Sequence, residues 1–333
     1  MTVKIPPIKH KKLVIVLSIV LSVAVVITAA VAIFVKIGEA KLREELIFND
    51  DGLTEDDAYQ DVDEVFYNGD TYVYNDDLIN ILCVGVDKSN NTDRRDRQAD
   101  ALYLLSLDTN KKLLNILAIS RNTLADIDVY DMDNEFLDTE KAQICLSYVY
   151  GKDDKQSTLL TCKAVSRFLY DIPINAYYTV FMDAIDEIVD AVDGVEIVIP
   201  DDMTSLNPKW KKGKKVTLSG GNALKFVQYR GETHSPRLER QKLFISSFIK
   251  QAKIAFENDI SVPVSLYKSI AKNSVTDIEL SEVSYLATQA ANARVKMHSI
   301  EGTIGFDGMY ETFLADETAL YESVLNLFYI KIT

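Results

Sequence analysis

Read as a series of apolar and polar positions, the chain opens with one long apolar block and then breaks into short runs. Leu13 to Val35 is 23 residues without a charge. At about 1.5 Å per residue, a helix of that length crosses a hydrocarbon core of about 30 Å. Leu78 to Val86 (LINILCVGV) is a continuous apolar run of strand length. Ala101 to Leu107 and Leu113 to Ile119 follow, parted by the turn cluster Asp108-Thr109-Asn110. These runs predict a hairpin inside a sheet core. Thr158 to Tyr170 and Asp183 to Val192 have helical periodicity, and Gly194 to Pro200 reads as a strand. Asn222 to Tyr229, Pro236 to Asn258, Ser281 to Ala293 and Glu317 to Leu327 read as helices. Strands alternating with helices predict a single α/β domain, layered α/β/α around a central mixed sheet.

Charge orients this layout. Lys4, Lys9, Lys11 and Lys12 precede the apolar block, and acidic residues dominate soon after it. The positive-inside rule then puts the N-terminus in the cytoplasm and the rest outside the membrane. A cleaved signal peptide ending near Ala30-Val31-Ala32 is the rival reading, and the length of the block favours a retained single-pass anchor. The expected division is a cytoplasmic tail 1–12, a transmembrane helix 13–35, an acidic juxtamembrane stalk 36–77 and an extracytoplasmic domain 78–333. Glu44 to Asp87 holds fourteen acidic residues and no Lys or Arg, which accounts for the whole net charge of −14. An acidic surface excludes nucleic acid as a partner. No P-loop and no EF-hand spacing is present, and an extracytoplasmic site has no ATP or GTP to use. Three cysteines, Cys83, Cys145 and Cys162, show no zinc-ligand spacing; any disulfide would leave one thiol over.

The candidate chemistry is a set of arginines and two aspartates. Ala223 to Gln241 (ALKFVQYRGETHSPRLERQ) brings Arg230, Arg237 and Arg240 together. Arginine's planar fork suits phosphate. Ser235-Pro236 reads as a helix start, where free backbone N–H groups attract an anion. From spacing alone the same arginines serve equally as a solvated helix face paired to Glu232 and Glu239. Asp87 and Asp100 flank the loop after the first predicted strand, with Arg94, Arg95 and Arg97 between them and Arg121 after the third strand. Strand ends of α/β sheets are common ligand sites. Two hard oxygen ligands beside phosphate-binding cations suit Mg²⁺, although two carboxylates on a polar turn need no metal at all.

In that order the elements resemble the LytR–CpsA–Psr (LCP) family of bacterial cell-envelope proteins, from about Leu78 to the C-terminus. The family's GVD stands here as Gly85-Val86-Asp87, and its RSD as Gln98-Ala99-Asp100. Its SIPRDT becomes Ala118-Ile119-Ser120-Arg121-Asn122-Thr123. Its strand entry resembles Asp190 to Ile197, and its LxGxxALxYxRxR helix resembles Leu218 to Arg230. Its DxxRxxRQ resembles His234 to Gln241. The resemblance implies an Mg²⁺-dependent transferase that moves an anionic glycopolymer from a polyprenyl-pyrophosphate carrier to peptidoglycan at the membrane. It implies that Arg121, Arg230 and Arg237 are catalytic. Gln228 and Arg240 would join them in binding pyrophosphate, and Asp87 and Asp100 would hold the metal. Three departures stand out. Gln98 and Gln228 replace arginines and His234 replaces an aspartate, which leaves open a module that binds lipid-linked polymer without transferring it.

Overall fold

The computed structural model describes residues 30–44, 64–88, 96–229 and 236–333, and the side chains of 236–238 fall outside that description. Residues 13–29 of the expected anchor, His234, Arg230 and the side chain of Arg237 lie outside it too. Among the described residues no helix is long and apolar enough to cross a membrane.

The first described element is a helix over 30–42 (α1). Two short strands follow, β1 (Val65–Tyr67) and β2 (Asp70–Tyr74). They are joined by Asn68-Gly69 with φ of 52° and 89°, the left-handed pair that a two-residue hairpin demands. The expected hairpin core is present as β3 (Leu78–Val86), β4 (Ala99–Asp108) and β5 (Leu113–Ile119), all antiparallel. β6 (Leu124–Tyr130) and β7 (Phe136–Gln143) form a separate ribbon. A 3₁₀ segment, Ile144–Tyr150, leads to α2 (Asp154–Phe168), whose N-cap Asp153 accepts from the Gln156 N–H at 2.8 Å. β8 (Ala176–Phe181) then pairs parallel to β3.

α3 (Ile185–Asp190), β9 (Val195–Val198), β10 (Lys215–Leu218) and α4 (Gly220–Gln228) come next, followed by the long α5 (Pro236–Asn258) and α6 (Val262–Ile270). β11 (Ser274–Thr276) pairs with β8, and α7 (Leu280–Asn292) begins with a Glu279–Glu282 capping box. β12 (Arg294–Ser299) pairs parallel to β5, β13 (Gly302–Asp307) and β14 (Tyr310–Ala315) form a ribbon, and α8 (Glu317–Phe328) runs into β15 (Tyr329–Lys331).

The central sheet has six strands in the order β11-β8-β3-β4-β5-β12. Its alternating side chains supply two cores. Leu82, Val84, Leu102, Leu104 and Leu117 pack against α2, the 3₁₀ segment and α8. Ile79, Ile81, Tyr103 and Ile116 pack on the other face with Leu42 of α1 and Tyr285 of α7. The mixed sheet between helical layers is the predicted architecture. A third core, holding Val189, Ile197, Trp210 and Phe226, lies under the β9–β10 hairpin, α4 and α5.

The stretch expected as a stalk contains α1, whose Leu42 is fully buried, and the β1–β2 hairpin, whose β2 pairs with β15 at the far end of the chain. The acidic composition hid a short alternating run, VFYNGDTYVY, that needs the C-terminal strand to cover part of its Tyr74.

Candidate functional site

The parallel pairs β3–β8 and β5–β12 point their carboxyl ends the same way, and β4 starts at that edge. Every described candidate lies there or just beyond, where α/β sheets bind ligands. Leu102 pairs with Ile119, so two residues further along the ladder Arg121 faces Asp100. Val86 pairs with Ala99, so Asp87 follows on the strand end beside Gln98. The β3–β4 register shifts at Gly85/Val86 and skips Asp100, a bulge that takes this carboxylate out of the regular ladder.

Arg121 is held by its fork. One Nη donates to Asp100 Oδ1, and the other donates to Gln98 Oε1 and lies 3.6 Å from Cys145 Sγ. Gln98 therefore acts as an acceptor for the neighbouring arginine. Burial pushes the Cys145 thiol's pKa up, with Arg121 opposing the shift. The thiol is buried and packs beside the guanidinium. All three cysteines are free, and burial raises Cys83 to about 12.

A second cationic group flanks this one. Arg97 Nη1 donates to both oxygens of Asp154 at 3.0 and 3.2 Å. Lys88 Nζ lies 3.5 Å from the same carboxylate and 2.9 Å above the centroid of the Phe181 ring. Tyr148 donates its hydroxyl to Asp154 Oδ1 at 3.1 Å. Burial lowers the pKa of Lys88, and Arg97 acts in the same direction against the pull of Asp154. Sequence reasoning noted Arg97 only as part of a basic loop and passed over Lys88, Tyr148 and Asp154. The position of Lys88 directly after Gly85-Val86-Asp87 was the available signal for it.

α4 brings Gln228 to the same edge. Gly194, at φ 88°, ends the α3 turn, and a Cβ there would meet Thr217 Cγ2 at 2.8 Å. Gly220 donates its N–H to Asp190 Oδ1 at 3.0 Å, and a Cβ on it would meet Asp186 Cα at 2.5 Å. These motif residues dock α4 on α3. The helix stops at Gln228, and Tyr229 (ψ 127°) has already left it, one residue before the end that periodicity predicts. The Gln228 amide lies 3.5 Å from the sulfur of Met182, the residue after β8.

Arg240 sits where α5 meets the end of α4. It is 1% exposed, with Nη2 on the Tyr229 carbonyl and Nη1 3.7 Å from Asp201 Oδ2. As placed, it clamps the end of α4 to α5 and does not face solvent. Asp87 and Asp100 share one edge, and among the described residues no group of three or more His, Cys, Asp or Glu could hold a metal. The two hard carboxylates fit Mg²⁺, which takes one or two such ligands and completes its shell with phosphate and water.

The model of the LytR_cpsA_psr family matches residues 48–326. Among curated proteins, the chain is 26% identical over 229 residues to the polyisoprenyl-teichoic acid–peptidoglycan teichoic acid transferase TagU of Oceanobacillus iheyensis, covering 68% of this chain and 67% of that one. It is also 26% identical over 212 residues to TagV of Bacillus subtilis, a transferase with the same description, covering 61% of this chain and 50% of TagV. Among solved structures, B. subtilis TagV superposes with a TM-score of 0.58 at 24% identity, over 75% of this chain and 94% of that one. TagT bound to LIIa-WTA gives 0.58 at 20% identity, over 75% and 89%. At these identities the superpositions establish the fold.

Proposed function

The chain belongs to the LytR–CpsA–Psr family, and from that premise we propose that it transfers an anionic glycopolymer from a polyprenyl-pyrophosphate carrier to peptidoglycan, as a membrane-anchored enzyme with its domain outside the cell. The observation that carries this reading is Arg121, set opposite Asp100 at the carboxyl edge of the sheet. An acceptor glycan hydroxyl attacks the phosphorus that bears the polymer. A new phosphate ester forms as the hydroxyl's proton passes to water, the phosphoanhydride bond breaks, and polyprenyl phosphate leaves with the bonding pair. Such a transfer needs positioning and neutralisation of charge on the phosphoryl oxygens, which Arg121, Arg230 and Arg237 are suited to give. The energy resides in the anhydride, which fits a compartment without ATP. Mg²⁺ would be held by Asp87 and Asp100 and would add charge neutralisation there.

The test is transfer of a radiolabelled lipid-linked teichoic acid precursor to peptidoglycan oligomers by the full chain in detergent. Arg121→Ala should lower the rate by about a hundredfold or more, the scale of losing a charge-stabilising group. An unchanged rate would remove Arg121 from the site. The neutral Gln98 favours a second reading, a module that holds the carrier without transfer. Tight carrier binding with no product would support it.

A further inference from the structure

The LCP motif carries a cation where this chain has Gln98, and the amide at that position is spent as an acceptor for Arg121. The residue before it, Arg97, carries a charge of its own. Its Nη1 is bound to Asp154, while its Nε is buried without a partner among the described residues. Lys88 sits on the same carboxylate. Two cations thus meet at Asp154, with Asp183 also acting on Lys88, and Tyr148 already draws on Asp154 with a hydroxyl donor. The cluster is partly buried, with 18% of the Arg97 side chain and 27% of the Lys88 side chain exposed, so its charges are poorly screened. Asp154 opens α2 directly after the N-cap Asp153.

The two cationic groups are neighbours. Cys145 touches Arg121, and Tyr148, three residues on, touches Asp154. Both lie on the 3₁₀ segment, where residues three apart eclipse one another with a rise of about 6 Å. A ligand with more than one phosphoryl group can span them. We propose that Arg97 and Lys88 form a second anion subsite beside Arg121, which takes a second phosphoryl group of the lipid-linked donor and supplies the charge that Gln98 does not. The subsite rests on the donor reading above. The second phosphoryl group comes either from the carrier's pyrophosphate or from the polymer.

Titrating the full chain in detergent with geranyl pyrophosphate, geranyl phosphate and a short lipid-free glycerol-phosphate oligomer tests this. Arg97→Gln should weaken geranyl pyrophosphate about tenfold or more and geranyl phosphate less than twofold, since loss of one charge-assisted contact is being read. Arg97→Lys, which keeps the charge and loses the fork, should fall between, and its far-UV circular dichroism reports an intact fold. Arg121→Gln should weaken both lipid phosphates alike. If the Arg97→Gln loss falls on the oligomer instead, the second phosphoryl group is the polymer's. Equal losses on monophosphate and pyrophosphate, or no loss on any probe that wild type binds, would overturn the subsite. Wild type that binds none of the three probes would overturn the donor reading and the subsite with it.

Discussion

Arg121 and Gln228 show how single side chains divide the work at this edge. The Arg121 fork is engaged on both sides, by Asp100 and Gln98, so an incoming phosphate competes with these acceptors. Gln228 has only a weak partner, the Met182 sulfur at 3.5 Å, and its amide carries no charge. Replacing it with arginine keeps the helix end unchanged and adds a charged fork at the carboxyl edge of β8. A new charge-assisted contact is worth about 1.5–3 kcal/mol, or about tenfold to hundredfold in affinity for a polyprenyl-pyrophosphate analogue. Titration of wild type and Gln228→Arg with such an analogue checks it. Unchanged affinity would put position 228 outside the site, and tighter binding without faster transfer would favour the carrier-binding reading.

At the scale of elements, close contacts between backbones fix where these side chains stand. Gly220→Ala would drive a Cβ to 2.5 Å from Asp186 Cα and push α4 off α3. Overpacking of this kind costs about 1–3 kcal/mol. Because α4 ends in Gln228, chemical denaturation and donor titration should both register the change. A stability loss with intact affinity would separate the docking of α4 from the site. Asp128 joins the β6–β7 ribbon to α2, accepting from Thr139 and Arg167 at 2.9 Å while Lys163 lies 2.9 Å away. Burial alone would raise its pKa, but Lys163, Arg167 and Thr139 outweigh burial and lower it. A carboxylate depressed in the folded state stabilises above its unfolded pKa of about 3.9, and that contribution fades as pH falls through the folded value. Wild type should therefore lose stability in acid below about pH 4, and Asp128→Asn should lose about 3 kcal/mol at neutral pH, the lower end for breaking a buried pair. Urea melts from pH 3 to 7 read both; the same pH slope in wild type and variant would deny Asp128 this role. The elements legible in the sequence were those with a buried face of their own. β3, β4, β5 and α5 showed as apolar runs or helical periodicity, whereas β8 (AYYTVF) is tyrosine-rich and went unnoticed. The ribbon strands β7 and β13 are largely exposed and carry no hydrophobic stripe to read. At the site, Arg121 and Asp100 were legible because one hairpin register joins them. The Arg97–Asp154 pair spans 57 residues and depends on how α2 docks, which spacing along the chain does not encode.

On the scale of the whole molecule, the last strand closes on the early β1–β2 hairpin. β15 adds to β2 with Tyr329 opposite Tyr74 and Lys331 opposite Tyr72, and the Asn75 N–H donates to the Phe328 carbonyl at 2.9 Å. The Tyr74 ring meets Tyr329 edge-on at 5.8 Å, and its hydroxyl accepts from the buried Asn80 at 2.9 Å. Asn75 in turn donates to the buried Asp108 carboxylate at 3.1 Å. A chain begun at Leu78, where the apolar pattern alone would start the domain, loses all of these contacts and leaves β15 without a neighbour. A chain begun at Glu64 keeps them, and both lack α1, so the pair isolates the hairpin. Burying a large side chain contributes about 1.5–3 kcal/mol. The Asn75 bond adds about 1.5 kcal/mol or more, since it ends on a charged group. A loss of at least about 3 kcal/mol corresponds to a fall in Tm of roughly 6–12 °C for a domain of this size. Calorimetry on the two chains reads the difference directly. Equal melting temperatures would mean that the hairpin is an appendage, and that the domain begins at Leu78 after all.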